Sequence, residues 1–242
     1  MDLRNDGADC DRMVVVSAHP DDESLGVGGL ISLAHRAGIT VYVVLLTAGE
    51  DSHPPREDMT RHSLATQRLG EMDAAVTRLA PGAPVVFLGA PDNGVAGVED
   101  EVVTALAEIV GDGARTLLVA PWRHDGHPDH DAAGRAAARV AEQTGARLVE
   151  YPLLGWRLRD LEDMPWAEFA VVDLDEQTLD TKLSAIRAHE SQLESLTSDP
   201  ENLSGRMLGY FTVPVEHVLV TETARDSNDG HDGQVPAGVA GA

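Results

Sequence analysis

Apolar and polar positions along the chain follow two alternating regimes. Short apolar runs bounded by turn residues occupy residues 13–18, 41–47, 85–88, 116–120 and 148–152. Runs of that length and composition predict strands buried on both faces. Between them the apolar residues recur at helical spacing. Residues 25–37 end at Gly38; residues 58–79 place Leu64, Leu69, Met72, Ala75, Val76 and Leu79 on one stripe; residues 98–110 and 132–142 supply two further helices. Strands alternating with helices predict right-handed βαβ crossovers and an α/β fold: a Rossmann-like, mostly parallel sheet with helices on both faces.

After Pro152 the pattern changes to a strand at 169–174, a helix at 176–196, a shorter helical piece at 203–211 and a last strand at 215–220. This part reads as a cap on the same domain. Residues 1–12 form a polar lead-in, and residues 226–242 are rich in Gly, Asp and Ala with few large apolar side chains. Such a tail cannot offset the entropy of becoming ordered and is expected to be disordered. The expected folded unit is one domain spanning residues 13–225.

Charge narrows the function classes. Eighteen basic against forty-one acidic residues give a net charge of −23, which repels phosphate backbones and anionic membranes, so no nucleic-acid or membrane partner is expected. The start of the chain lacks the apolar stretch of a secretory signal, and no stretch reaches the roughly 20 apolar residues of a membrane span, which predicts a soluble, cytoplasmic protein. A homo-oligomer is compatible with the sequence. The single cysteine, Cys10, has no partner for an internal disulfide and no neighbouring metal-type residue.

Two segments carry candidate chemistry. Ala18-His19-Pro20-Asp21-Asp22-Glu23 follows the first strand directly, and His127-Pro128-Asp129-His130 follows the 116–120 strand through a polar loop containing His124 and Asp125. Ligands of open α/β sheets bind outside the carboxyl ends of the strands, where such loops lie. His19 and Asp22, three apart in a tight turn, can reach one metal ion. Two histidines and one carboxylate from separate loops would leave a fourth position for water, the arrangement of a catalytic zinc site. Asp21 then remains to take a proton.

Each segment has a plainer reading. An Asp-Asp pair at a strand end also serves as a helix N-cap, and His-Pro-Asp-His also forms a polar turn. Both segments at strand ends of one sheet favour the site. A dinucleotide-binding reading of Gly26-Val27-Gly28-Gly29 fails on glycine spacing and on the acidic loop where a pyrophosphate would sit.

At these two segments the sequence resembles the PIG-L/LmbE-like family of zinc-dependent N-deacetylases. The resemblance runs from about Met13 to about Val220 and includes Thr47-Ala48-Gly49-Glu50, Arg68-Leu69-Gly70-Glu71, Pro91-Asp92-Asn93-Gly94 and His189-Glu190-Ser191-Gln192. It implies Zn2+ as cofactor with His19, Asp22 and His130 as ligands, and Asp21 as general base. It further implies His127 as oxyanion stabiliser or proton donor, oriented by Asp129, and Arg68 and Asp92 as substrate-binding residues. Where some members carry a tyrosine shortly before the second segment, this chain has Arg123, His124, Asp125 and Gly126.

Other residues keep two readings. Arg68 and Glu71 could form a helix-surface ion pair; Glu23 could accept from a ligand histidine or cap the helix; His189 reads as support near the site. Trp122, with Trp156 and Trp166 one of three tryptophans, could wall a sugar ring or pack in the core, and His53 could line the pocket or face water. The implied substrate is an N-acylated amino sugar, most directly an N-acetylglucosaminyl conjugate. The alternatives are an amidase acting on a mycothiol-like thiol conjugate, iron(II) in place of zinc, and, in a different class, a non-catalytic α/β binding module.

Overall fold

The computed structural model describes residues 10–52, 59–155, 164–193 and 208–221. His53, Trp156, residues 1–9 and the tail from Asp226 lie outside the described residues, as do parts of the expected 176–196 and 203–211 helices. The elements run β1 (Arg12–Ser17), α1 (Asp22–Arg36), β2 (Thr40–Leu45), α2 (Arg61–Leu79), β3 (Val85–Phe87), α3 (Glu99–Val110), β4 (Thr116–Pro121), α4 (Pro128–Thr144), β5 (Arg147–Tyr151), β6 (Ala170–Asp173), α5 (Glu176–Ile186) and β7 (Val215–Thr221). The sheet has the order β3-β2-β1-β4-β5-β7-β6. The first five strands pair in parallel.

The central strands are apolar throughout because both faces are covered. Successive residues of β1 serve opposite cores: Met13 and Val15 pack with α1 and α2, whereas Val14 and Val16 pack with α3 and α4. The α3/α4 layer comes close because α4 turns an alanine stripe inward, with Ala132, Ala133, Ala136 and Ala137 all buried. Gly134 is required there: a Cβ would lie 2.5 Å from the Pro121 carbonyl oxygen and 2.6 Å from the Arg123 nitrogen. This contact seats the start of α4 against the end of β4.

The segment expected to cap the domain instead extends the sheet. β7 lies antiparallel beside β5, and β6 antiparallel beside β7. A buried carboxylate ties this addition to α1. Helix α1 is broken at Val27 (φ −141°, ψ 22°), which creates a second helix start with orphan N–H groups. Glu216 of β7 accepts from the N–H groups of Gly29 (2.7 Å) and Leu30 (2.8 Å), and Lys182 of α5 donates to the same carboxylate at 2.7 Å. The glycine run after Asp22 therefore serves helix breakage and close packing. No helix among the described residues is long and apolar enough to cross a membrane.

Candidate metal and catalytic centre

Strand order reverses between β1 and β4: from β1 the chain steps to β2 on one side, while β4 leads to β5 on the other. The loops leaving these two parallel neighbours diverge and open a crevice at their carboxyl ends. The β1 exit loop supplies His19, Asp21 and Asp22, and the β4 exit loop with the first turn of α4 supplies His127 and His130. The crevice they line, together with Arg68 and Asp92, has a volume of about 380 Å3.

Hydrogen bonds fix which nitrogen of each imidazole faces inward. His130 Nδ1 lies 2.6 Å from the Asp125 carboxylate, a bond that needs the proton on Nδ1 and leaves the Nε2 lone pair free. His19 Nε2 lies 3.1 Å from Asp129 Oδ2 and 3.3 Å from Asp92 Oδ1, which likewise leaves Nδ1 as the free lone pair. These two nitrogens face each other at 3.2 Å. Asp22 closes the triangle, with Oδ1 3.4 Å from His130 Nε2 and Oδ2 3.8 Å from His19 Nδ1. The edge of a zinc tetrahedron with bonds of about 2.0–2.1 Å is about 3.3 Å, so the donor set fits such an ion. His127 also contributes a donor atom within 4.8 Å of those of His19 and His130.

The electrostatics agree with a site that demands positive charge. In the chain by itself, burial works against a charged His130, but the Asp22 charge and the Asp125 hydrogen bond prevail and push its pKa up to about 10. His19 is likewise burdened by burial yet held up to about 9 by Asp129, Asp92 and Asp22. Burial raises Asp22, but the charge and hydrogen bond of His130 outweigh it and hold the carboxyl well below the usual range.

Asp21 stands apart from these donor contacts. Burial lifts its carboxyl to about 6, against the pull of Arg68. Its backbone is strained: Asp21 (φ 119°) and Asn93 (φ 61°) are the non-glycine residues with positive φ among the described residues, and both border the crevice. The Asp21 N–H donates to Glu23 Oε2 at 3.2 Å; the other Glu23 oxygen accepts from Ser24 Oγ (2.6 Å) and His189 Nε2 (3.2 Å). Glu23 thus serves the strained turn and His189, not a ligand histidine.

Arg68 is buried and forms no surface pair with Glu71. Its guanidinium donates to the carbonyls of Gly49 (2.9 Å) and Pro20 (2.7 Å) and passes 3.6 Å from Asp21 Oδ2. Gly49, at φ 64°, leaves the space: a Cβ there would sit 1.9 Å from Arg68 Nη1. Glu71 accepts from Ser191 N and Oγ instead. Asp92 accepts from Asp51 N at 2.7 Å.

The expectation that Asp129 orients His127 needs restating. The Asp129 carboxylate is turned to His19 and to the N–H groups of Asn93 (2.8 Å) and Val95 (3.1 Å). Only its backbone N–H reaches His127, donating to Nδ1 at 3.2 Å. That bond leaves the proton of a neutral His127 on Nε2, and burial with the neighbouring His130 and His19 charges lowers its pKa. Trp122 is a core residue, buried edge-on to Phe169 at 5.5 Å, and does not wall the crevice.

Asp125, named in the sequence only as part of the polar loop, is the further residue that the structure places against the donor set. Besides His130 it accepts from the N–H groups of Leu153 (2.8 Å), Leu154 (2.9 Å) and Gly155 (2.8 Å), so a loop beyond β5 holds it rigid. Its place five residues before His130 was the available signal.

Comparison with known proteins agrees with this architecture. The PIG-L family, described as GlcNAc-PI de-N-acetylase, matches residues 14–141. The chain is 27% identical to the 1D-myo-inositol 2-acetamido-2-deoxy-alpha-D-glucopyranoside deacetylase of Rhodococcus opacus (strain B4), over 94% of this chain and 98% of that protein. It is 28% identical to the "Probable N-acetyl-alpha-D-glucosaminyl L-malate deacetylase 2" of Bacillus subtilis (strain 168), over 79% and 87%. Its fold resembles N,N'-diacetylchitobiose deacetylase from Pyrococcus horikoshii, with a TM-score of 0.69 at 21% identity, covering 91% of this chain and 87% of that one. The zinc inhibited form of teicoplanin deacetylase gives 0.66 at 18% identity, covering 88% and 100%. With the family matched across both signature segments and most of the sheet that presents them, the chain belongs to the PIG-L family.

Proposed function

We propose that this protein hydrolyses the acetamide of an N-acetylglucosaminyl conjugate, with zinc held by His19, Asp22 and His130 and with Asp21 as general base. One observation carries the proposal: two imidazole lone pairs and a carboxylate converge beside a second carboxylate, Asp21, that takes no part in their contacts. The family and the names of the relatives support the substrate class.

A zinc ion bound there would polarise the acyl carbonyl and acidify a water molecule. Asp21 accepts a proton from the water as its oxygen adds to the carbonyl carbon. The Nε2–H of His127 donates to the carbonyl oxygen while negative charge gathers on it. The C–N bond then breaks as the nitrogen takes a proton from Asp21, which has just gained one, or from His127; the products are acetate and the free amine. Arg68 ties the carbonyl of Pro20, the residue before Asp21, to that of Gly49 in the neighbouring loop, and Asp92, with Asp51 and Asn93 beside it, faces the hydroxyl groups of the sugar.

The test is release of primary amine from a panel of N-acetylated amino sugars, their glycosides and thiol conjugates by zinc-loaded protein. Release that vanishes in Asp21→Ala supports the assignment. Undiminished release from Asp21→Ala removes Asp21 as the base.

A further inference from the structure

The peptide group that joins Pro20 to Asp21 is held at both poles. Its carbonyl oxygen accepts from Arg68 Nη2 at 2.7 Å, and its N–H donates to Glu23 Oε2 at 3.2 Å. A cation on the oxygen and an anion on the N–H admit one orientation of this dipole, because each charge would repel the opposite pole. The orientation they select is the strained one. Asp21 has φ 119° and ψ −22°, a combination outside the regions that L-residues ordinarily occupy.

A relaxed alternative lies one peptide rotation away. The Asp21 carbonyl already accepts from Leu25 N at 2.9 Å, as at a helix start. Turning the Pro20–Asp21 plane over by half a rotation would bring φ to about −60°, an ordinary helical value, with the two Cα atoms nearly in place. The same turn would take the Pro20 carbonyl away from Arg68 Nη2. That nitrogen stands 3.6 Å from Asp21 Oδ2, beyond hydrogen-bond length. Arg68 is only 3% exposed, so water would not replace the lost acceptor. The guanidinium would close onto the Asp21 carboxylate instead.

Glu23 opposes the turn, and its own support is remote. Its second oxygen accepts from Ser24 Oγ at 2.6 Å and from His189 Nε2 at 3.2 Å. His189 is buried, and its Nδ1 has no hydrogen-bond partner among the described residues. A leucine would fill a packing position without leaving a polar atom unpaired; the imidazole is accounted for by the bond it makes to Glu23. The turn that carries His189 is fastened by Glu71, which accepts from Ser191 N (2.8 Å) and Oγ (2.6 Å). Glu71 lies one helical turn along α2 from Arg68, so a single helix fixes the groups acting on both poles.

We propose that Glu23, braced by His189, locks the Pro20–Asp21 peptide in its strained orientation and so keeps Arg68 off the Asp21 carboxylate. Both are positioning residues, and neither lines the crevice. The inference rests on the reading of Asp21 as the base: the lock leaves that carboxylate free to take a proton from water.

The test is Glu23→Gln, which keeps the side-chain shape but adds an NH2 group able to serve the carbonyl of the turned peptide. A crystal structure of the variant should show Asp21 at negative φ and Arg68 Nη2 within hydrogen-bond distance of its carboxylate. With zinc-loaded protein and a glycoside of N-acetylglucosamine, kcat should fall about 10–100-fold, while KM, zinc content and melting temperature keep their wild-type values. A positive φ in the variant overturns the proposal whatever the activity, and so does a turned peptide with unchanged kcat. A lowered melting temperature with the peptide unturned would make Glu23 a packing residue only. His189 is tested by a pair of variants that decides the matter even if Glu23→Gln does not fold. His189→Leu removes the donor to Glu23 and should lower kcat with KM held; His189→Gln, which presents an N–H near the place of the imidazole Nε2–H, should restore most of the loss. Equal losses in the two variants overturn the role given to His189. If the wild-type protein releases amine from no substrate, a turned peptide and a closed Arg68–Asp21 contact in Glu23→Gln support the lock and refute the deacylase reading alone.

Discussion

Replacing Asp125 by asparagine changes one group 2.6 Å from His130 Nδ1. Asparagine keeps an oxygen for the Leu153, Leu154 and Gly155 N–H groups, three bonds of 2.8–2.9 Å that dictate its orientation. Its NH2 group then faces His130, a donor where an acceptor stood. His130 must place its lone pair on Nδ1 and its proton on Nε2, toward Asp22, or lose the bond. Either way the nitrogen offered to a metal is compromised. Removing an outer-shell partner of a ligand histidine typically costs 10–100-fold in metal affinity, and tautomer reversal puts this case near the upper figure. Zinc affinity measured by competition with a chromogenic chelator should therefore fall about 100-fold in Asp125→Asn, with little change in the urea midpoint of the metal-free protein. Asp92→Asn should fall less, because His19 Nε2 keeps Asp129 at 3.1 Å. Affinity within threefold of wild type in Asp125→Asn would refute the argument that this carboxylate sets the His130 tautomer.

Four further outcomes are expected. Asp21→Ala should lower kcat by about 10²–10⁴-fold while zinc stoichiometry, read by atomic absorption, stays at the wild-type value. Glu216→Gln should destabilise the protein by about 3–5 kcal/mol in urea titrations, because Lys182 is left buried without its counter-charge; a loss under about 1 kcal/mol would contradict the clamp on α1. Gly134→Ala should cost about 1–3 kcal/mol and weaken zinc binding with it, since the added carbon meets the Pro121 and Arg123 backbone at the start of the helix that carries His130. Zinc affinity should fall as pH is lowered from roughly 8 to 6. His19 and His130, raised to about 9 and about 10 in the metal-free chain, hold protons that the metal must displace, so calorimetry in buffers of different ionisation enthalpy should show release of about one to two protons; pH-independent affinity in that window would contradict it.

The legible and illegible parts of this protein divide by range in the sequence. The runs that became β1 and β4 announce themselves because burial on both faces leaves no polar interruption, and the two signature segments sit directly at the ends of those strands. The segment after Pro152 misled because β7 is partly exposed and pairs antiparallel with a strand far back in the chain, Leu148 against Thr221, 73 residues apart. No local pattern distinguishes such a strand from part of a cap. The α1 break was hidden for the same reason: its glycines are local, but the group that satisfies the freed N–H donors, Glu216, is more than 180 residues away.

The same division runs through the site and explains what each half contributes. The identity of the proposed ligands is local: His19, Asp22 and His130 can be named from two short segments. Ligand chemistry is not, since an imidazole binds metal through whichever nitrogen its other partner leaves bare. Those partners are assembled from afar: the Asp125 orientation depends on amides 28–30 residues downstream, and the His19 tautomer depends on an Asp129 fixed by the Asn93 and Val95 backbone. The proposed base follows the pattern too, for the Asp21 turn is strained and its Glu23 support is bonded to His189, 166 residues on. Substitutions in the remote loops should therefore disturb the site with every signature residue intact, which is why Asp125, outside both segments, is the position at which this reading is most exposed to refutation.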